Sequence, residues 1–195
     1  MSDELATIDA VLAGDRYAFN ALVTTYQAPV YNLAYRMLGN PGEAEEAAQE
    51  AFLRAFTWLH RYDRHRSFKT WLLAITSNYC IDRLRRRRLV WLSLDEPLPP
   101  HPNLRAPQAG PEQQTIYAEQ QDQIQYLLAQ LPPLDRQMVI LRYWYDYSYE
   151  EIAEMTKSTV SAVKSRLHRA RTRMARHLET IPGVQASTAR FVESG

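Results

Sequence analysis

Between Ser161 and Arg173 the chain concentrates side chains that can read a base edge or hold a phosphate: Ser161, Lys164, Ser165, Arg166, His168, Arg169, Arg171 and Arg173. Arginine presents a planar fork of donors that fits the two acceptors on the major-groove edge of guanine, as Arg169 could; Ser165 and His168 can reach base edges. Lys164, Arg166, Arg171 and Arg173 suit phosphate oxygens, which supply affinity and register rather than sequence. Val160, Val163, Leu167, Ala170 and Met174 interleave with these residues at helical spacing and make one apolar stripe. Ser161, Lys164, Ser165, His168 and Arg169 face away from it. Residues 156–178 hold 7 basic residues and no acidic one, unlike the mixed signs of an ordinary solvated helix face. The pattern predicts a helix that packs on one side and offers the other to DNA.

The elements needed to aim that helix lie just before it. Ser148-Tyr149-Glu150-Glu151 has capping-box spacing, with Ser148 at the N-cap and Glu151 reaching back. Ile152, Ala153 and Met155 would pack beneath the basic helix, and Thr159 is placed to cap it. Two short helices across a tight turn, the second one basic, is the layout of a helix-turn-helix whose second helix enters the major groove. A second basic helix stands far upstream, from Ile81 to Arg88.

The formal net charge of +1 conceals strong segregation. Residues 1–60 hold 3 basic and 8 acidic residues, and residues 61–88 hold 9 and 2. Residues 89–155 hold 3 and 10, residues 156–178 hold 7 and 0, and residues 179–195 hold 1 and 2. Two basic blocks can each neutralise phosphates, and two acidic blocks, residues 1–60 and 89–155, are available for protein contacts or to repel DNA where it should not bind. No apolar run reaches the length of about 18 residues expected of a membrane span. The acidic start Met1-Ser2-Asp3-Glu4 lacks the order of a signal peptide, so a cytoplasmic location is expected. The single cysteine, Cys80, reads as a small buried apolar residue. There is no glycine-rich phosphate loop, and no metal or cofactor is expected.

The periodicity predicts an all-α fold of two small helical domains joined by an extended proline-rich linker. The first domain spans residues 1–88. It contains a short amphipathic start from Asp3 to Ala13 and a helix from Tyr17 to Leu38 that Pro29 bends or splits. A break at Gly39-Asn40-Pro41-Gly42 precedes a helix from Glu43 to Leu59. A polar loop from Arg61 to Ser67 leads to a helix from Phe68 to Arg88, with Phe68, Trp71, Leu72, Ile75, Tyr79 and Leu84 inward. Residues 89–112 contain Pro97, Pro99, Pro100, Pro102, Pro107 and Pro111 and are expected to be extended, reaching on the order of 60 Å. The second domain, residues 113–180, holds helices from Gln113 to Gln130 and from Leu134 to Tyr145, then the helix-turn-helix. Residues 181–195 read as a tail.

These residues resemble the extracytoplasmic-function (ECF) group of bacterial sigma factors, in the sigma-70 family. The likeness is carried by Val30-Tyr31-Asn32-Leu33-Ala34-Tyr35-Arg36-Met37-Leu38-Gly39-Asn40, Ala48-Gln49-Glu50-Ala51-Phe52-Leu53-Arg54-Ala55, Phe68-Lys69-Thr70-Trp71-Leu72, Asn78 and Asp82-Arg83-Leu84-Arg85-Arg86-Arg87-Arg88. It continues through Leu131-Pro132-Pro133, Leu141-Arg142-Tyr143, Ser148 to Glu154 and Val163 to Arg171. The resemblance implies promoter-specific initiation of transcription without covalent chemistry by the protein itself. It implies partners in core RNA polymerase (the clamp coiled coil of the largest subunit, and the flap), promoter DNA and an anti-sigma factor.

Residue by residue, it assigns Tyr62, Arg64, Arg66, Lys69, Asn78, Arg83, Arg85, Arg86 and Arg87 to the −10 element. Ser161, Lys164, Ser165, Arg166, His168, Arg169, Arg171 and Arg173 go to the −35 element. Core polymerase is assigned Glu45, Glu46, Gln49, Glu50, Leu53 and Arg54. It places the linker, with Asp95 and Glu96, near the active-site and RNA-exit channels.

Two positions depart from the family pattern. Lys157 stands in the turn where glycine is usual, and a left-handed turn costs lysine more than glycine. Ala162 stands where threonine is common, which removes one hydroxyl. Two rival readings are weaker. A simple helix-turn-helix regulator explains residues 131–178 but not the basic helix at 81–88. A metal enzyme built on His60, Asp63 and His65 lacks the helical histidine pairing of a zinc hydrolase.

Overall fold

The computed structural model describes residues 2–93 and 112–179, and among these it shows eight α-helices and no strand. They divide into two units, one carrying the helices up to Ser93 and the other those from Glu112 onward. The expected strap with Asp95 and Glu96, and the tail, lie outside the described residues.

The first unit starts with α1 (Ser2–Leu12) and a 3-10 turn at Arg16–Ala18. The Asp15 carboxylate caps this turn, accepting from the N–H groups of Tyr17 at 3.0 Å and Ala18 at 3.2 Å. Next, α2 (Phe19–Leu38) runs through Pro29 without splitting. A proline inside a helix costs about 3 kcal/mol, and each fully buried aliphatic side chain returns roughly 1.5–3 kcal/mol. Leu22 before Pro29, and Val30, Leu33, Met37 and Leu38 after it, are all buried, so packing outweighs the lost bond. Gly39 closes α2 in the left-handed region at φ 73°, its N–H bonded to Tyr35 O at 2.7 Å. Asn40 then opens α3 (Pro41–Trp58), its side chain accepting from Glu43 N at 3.0 Å. Pro41 takes the first helical position, where its missing N–H has no intrahelical bond to lose, so α3 begins before the expected Glu43.

On α3 a row of alanines, Ala44, Ala47, Ala51 and Ala55, is fully buried and lets the neighbouring backbones approach closely. A second 3-10 turn at Leu59–Arg61 precedes α4 (Phe68–Ser93). The latter extends beyond the expected end at Arg88 because Leu89-Val90-Trp91-Leu92-Ser93 contains neither proline nor glycine. Its buried face differs from the expected one. Phe68, Leu72, Leu73, Thr76, Ser77, Cys80 and Ile81 are buried, while Trp71, Ile75, Tyr79 and Leu84 are half-buried. Thr76 and Ser77 can go inside because their hydroxyls donate to the helix's own carbonyls, Leu72 O at 2.9 Å and Ala74 O at 3.3 Å. Helices α2, α3 and α4 pack on one another pairwise and form the core.

In the second unit, α5 (Glu112–Ala129) leads into α6 (Pro133–Trp144). Seven consecutive residues of α6, Asp135 to Leu141, are buried, which marks it as the central helix of this unit. Buried Arg136 donates to Ala129 O at 3.0 Å, serving a carbonyl at the end of α5. Short α7 (Tyr149–Met155) and long α8 (Val160–Glu179) complete the unit, and α8 packs against α5 and α6.

Candidate functional site

The aim of α8 is set by two local devices and one long-range pair. Ser148 N donates to Glu151 Oε2 at 2.8 Å, and Glu151 N donates to Ser148 Oγ at 3.1 Å, a complete capping box. Thr159 Oγ1 accepts from Ala162 N at 3.2 Å at the start of α8. Between them Lys157 adopts φ 51°, and Ser158 N reaches back to Ala153 O at 2.8 Å. This is the six-to-one bond of a Schellman turn, with lysine at the position that favours glycine. Asp135, 11% exposed on α6, holds the Arg166 guanidinium at 2.7 Å. The stripe Val163, Leu167 and Ala170 is buried against the unit's core.

Opposite that stripe Ser161, Lys164, Ser165, His168, Arg169 and Arg173 are exposed, and Arg171 is half-exposed. Lys164 lies over the Tyr149 ring at 5.5 Å, and Arg142 lies 5.3 Å from the same ring. Cation–ring contacts of this kind place a charge without neutralising it. The face can therefore donate to base edges from its middle and to phosphates around them. Arg166 differs from its neighbours because its charge is already met by Asp135.

In the first unit the loop before α4 hangs on an aromatic cluster. Tyr62 packs against Phe68 and Trp71, with ring centroids 5.5 and 5.2 Å away, and Phe68 packs against Tyr26 at 5.6 Å. Tyr62 is thus turned inward, 9% exposed, with its hydroxyl donating to Arg66 O. Burial, with the negative charges of Glu4 and Asp63, pushes its phenol pKa up. A phenol ring buries too much apolar surface to be left outward in a short loop. Arg64 pairs with Asp9 of α1, and Arg66 with Asp63 at 3.4 Å. Lys69, Asn78, Arg85 and Arg86 are exposed.

Arg83 and Arg87 are half-buried and face α3. Arg83 meets Glu46 at 2.7 Å and Glu43 at 3.7 Å, and Arg87 meets Glu43 at 3.3 Å. Partial burial works against the Arg83 charge, but the neighbouring carboxylates of Glu46 and Glu43 outweigh it and raise its pKa. Sequence reasoning had the charges of these arginines but not their partners. Glu43, which meets both arginines, carries no signal in the sequence beyond its place one turn before Glu46 on the same helix.

The outward side of α3 carries Glu45, Gln49 and Leu53, the last 63% exposed. Glu50, Leu53, Arg54, Thr57 and Trp58 line a shallow open pocket there. Phe56 and Trp58 add further exposed apolar surface. Exposed leucine, phenylalanine and tryptophan side chains near Glu45, Glu46 and Glu50 give this side of α3 the character of a protein-docking surface. Among the described residues no group of histidine, cysteine, aspartate or glutamate could hold a metal, and no helix is long and apolar enough to cross a membrane.

The same two units recur in known proteins. Residues 22–90 match the family described as Sigma-70 region 2, and residues 121–174 match Sigma-70, region 4. The ECF RNA polymerase sigma factor SigW of Bacillus subtilis is 35% identical over 179 residues, covering 89% of this chain and 96% of that protein. Two solved structures share the fold. The sigma factor RpoE from Bartonella quintana, solved with the anti-sigma factor NepR, is 21% identical with a TM-score of 0.64, covering 83% of this chain and 96% of that one. CnrH, solved with the cytosolic domain of CnrY, is 22% identical with a TM-score of 0.63, covering 90% and 96%.

Proposed function

The chain belongs to the extracytoplasmic-function group of the sigma-70 family of RNA polymerase sigma factors, and on that footing we propose how its two units divide the work. As a sigma factor it joins core polymerase and directs transcription to specific promoters, acting through binding and strand separation rather than covalent chemistry. It works in the cytoplasm and is held in check by an anti-sigma factor.

The unit of residues 1–88 docks on the clamp coiled coil through Glu45, Glu46, Gln49, Glu50, Leu53 and Arg54. It then captures the −10 element. Bases extruded from the duplex need hydrogen-bonding groups and an aromatic wall. Lys69, Asn78 and the 62–67 loop supply the former, and Arg85 and Arg86 hold the backbone. The inward Tyr62 supports a role in shaping the loop rather than in touching DNA. The unit of residues 113–180 reads the −35 duplex with Ser161, Ser165, His168 and Arg169, and steadies it with Lys164, Arg171 and Arg173.

The observation that carries this reading is a pair of separate basic helices on one chain. One belongs to a fully capped helix-turn-helix; the other is docked on an acidic helix with an open apolar patch. Run-off transcription on genomic fragments, with core polymerase alone and with this protein added, tests it. New transcripts with defined start sites are the expected result. Absence of new transcripts, with a duplex shift that needs no polymerase, would leave an ordinary helix-turn-helix regulator.

A further inference from the structure

On the outer side of α3 two side chains are held by α4, and a third is held through one of them. Glu46 takes the Arg83 guanidinium at 2.7 Å, and Tyr79 stands one turn before Arg83 on α4. The Tyr79 ring lies beneath the Arg54 guanidinium, 4.8 Å from carbon to centroid. Arg54 then pairs with Glu50 at 2.7 Å. Helix α4 thus reaches α3 at two points, Arg83 to Glu46 and Tyr79 to Arg54, and Arg54 carries the second on to Glu50. Trp58, on the rim of the open pocket, also lies within 5.8 Å of Arg54.

Long acidic and arginine side chains lose rotamer freedom when a partner docks on them. Here that freedom is already restricted by α4. The two half-buried arginines also face as many carboxylates, Glu43 and Glu46. Their pull on a phosphate is offset locally, whereas exposed Arg85 and Arg86 have no such carboxylate among the described ion pairs.

We propose that Arg83 and Tyr79 are positioning residues for polymerase docking, holding Glu46 and Arg54 in place, and that Arg83 makes no phosphate contact. The inference rests on the docking role of α3. It reverses the natural reading of Arg83 as one more cation in a basic run.

The test measures two quantities for each full-length variant: affinity for core polymerase, and the salt dependence of holoenzyme binding to a promoter fragment. Arg83→Ala is expected to weaken core binding about tenfold, equivalent to roughly 1.4 kcal/mol, with an unchanged salt slope. Arg86→Ala is expected to do the reverse, flattening the slope by about 0.9, the share of one phosphate contact. Tyr79→Phe keeps the ring under Arg54 and loses only the hydroxyl, so it should lose less core affinity than Tyr79→Ala. Thermal melting of each free variant separates lost positioning from lost folding. If Arg83→Ala melts early, Arg83→Lys replaces it, keeping a charge for Glu46 without the planar fork of the guanidinium.

A flattened slope for the Arg83 variant, or unaltered core affinity, overturns the inference. Glu50→Lys serves as the reference for the docking role. If it too leaves core affinity unchanged, the docking role falls and the inference with it. If Glu50→Lys weakens core binding and the Arg83 variant does not, the inference alone falls.

Discussion

Replacing Lys157 by glycine should stabilise the second unit. Lys157 sits at φ 51° in the Schellman turn between α7 and α8, and its side chain is exposed. A residue with a Cβ in this left-handed region is disfavoured by roughly 1–2 kcal/mol. Glycine removes that cost but brings back roughly 0.5–1 kcal/mol of unfolded-chain freedom. The net gain is about 0.5–1 kcal/mol. For a unit of this size such a gain raises the melting temperature by roughly 2–8 °C.

The lysine charge enters little, because it lies between the negative end of α7 and the positive end of α8, whose effects oppose. Lys157→Ala isolates this point, since it drops the charge but keeps the Cβ. Thermal unfolding followed by circular dichroism should rank glycine above both lysine and alanine, with the latter two within about 0.5 kcal/mol. Amide exchange should slow in α6 and α8 and stay constant in α2 to α4. Equal stability of the glycine and alanine variants would refute the reasoning, because Cβ strain would then not be what the turn stores.

Arg169→Ala is expected to weaken promoter binding at one −35 base pair by roughly 1–3 kcal/mol, measured over a set of single-base −35 variants; an equal loss on every variant makes Arg169 a phosphate contact. Arg166 is expected to behave oppositely. Its removal leaves Asp135 without its ion-pair partner in an 11%-exposed setting, so Arg166→Ala should cost about 1–3 kcal/mol of stability while the salt slope of duplex binding stays constant. Denaturant titration and DNA titration together decide, and a flattened slope at full stability would contradict the pairing. Cys80 is fully buried, and that burial pushes its thiol up to about 12. Below that pH the folded protein therefore keeps it protonated and unreactive. Labelling by a thiol reagent at pH 8 should proceed only as fast as unfolding exposes the residue, and rapid labelling of native protein would show that the site opens locally.

The local devices of this chain were legible from its residues alone. The Ser148–Glu151 box, the Thr159 cap and the strained Lys157 each depend on residues within a few positions of one another. The apolar stripe of α8 was legible for the same reason, since helical spacing assigns a face without reference to the rest of the fold. The buried face of α4 was less so. Thr76 and Ser77 are polar by type, and only the helix's own carbonyls make their burial affordable.

The destination of each charge depended on the packing. A run of arginines states that a helix is basic, but not which carboxylate lies across from it. Arg87 finds Glu43 at a separation of 44 residues, and Arg166 finds Asp135 at 31. Tyr62, polar at one end and aromatic at the other, goes inward because Phe68, Trp71 and Tyr26 leave a place for its ring. Periodicity and capping act through the nearby chain and can be read along it. Ion pairs and ring packing act through space, so they become definite only when α3 lies against α4 and α6 against α8.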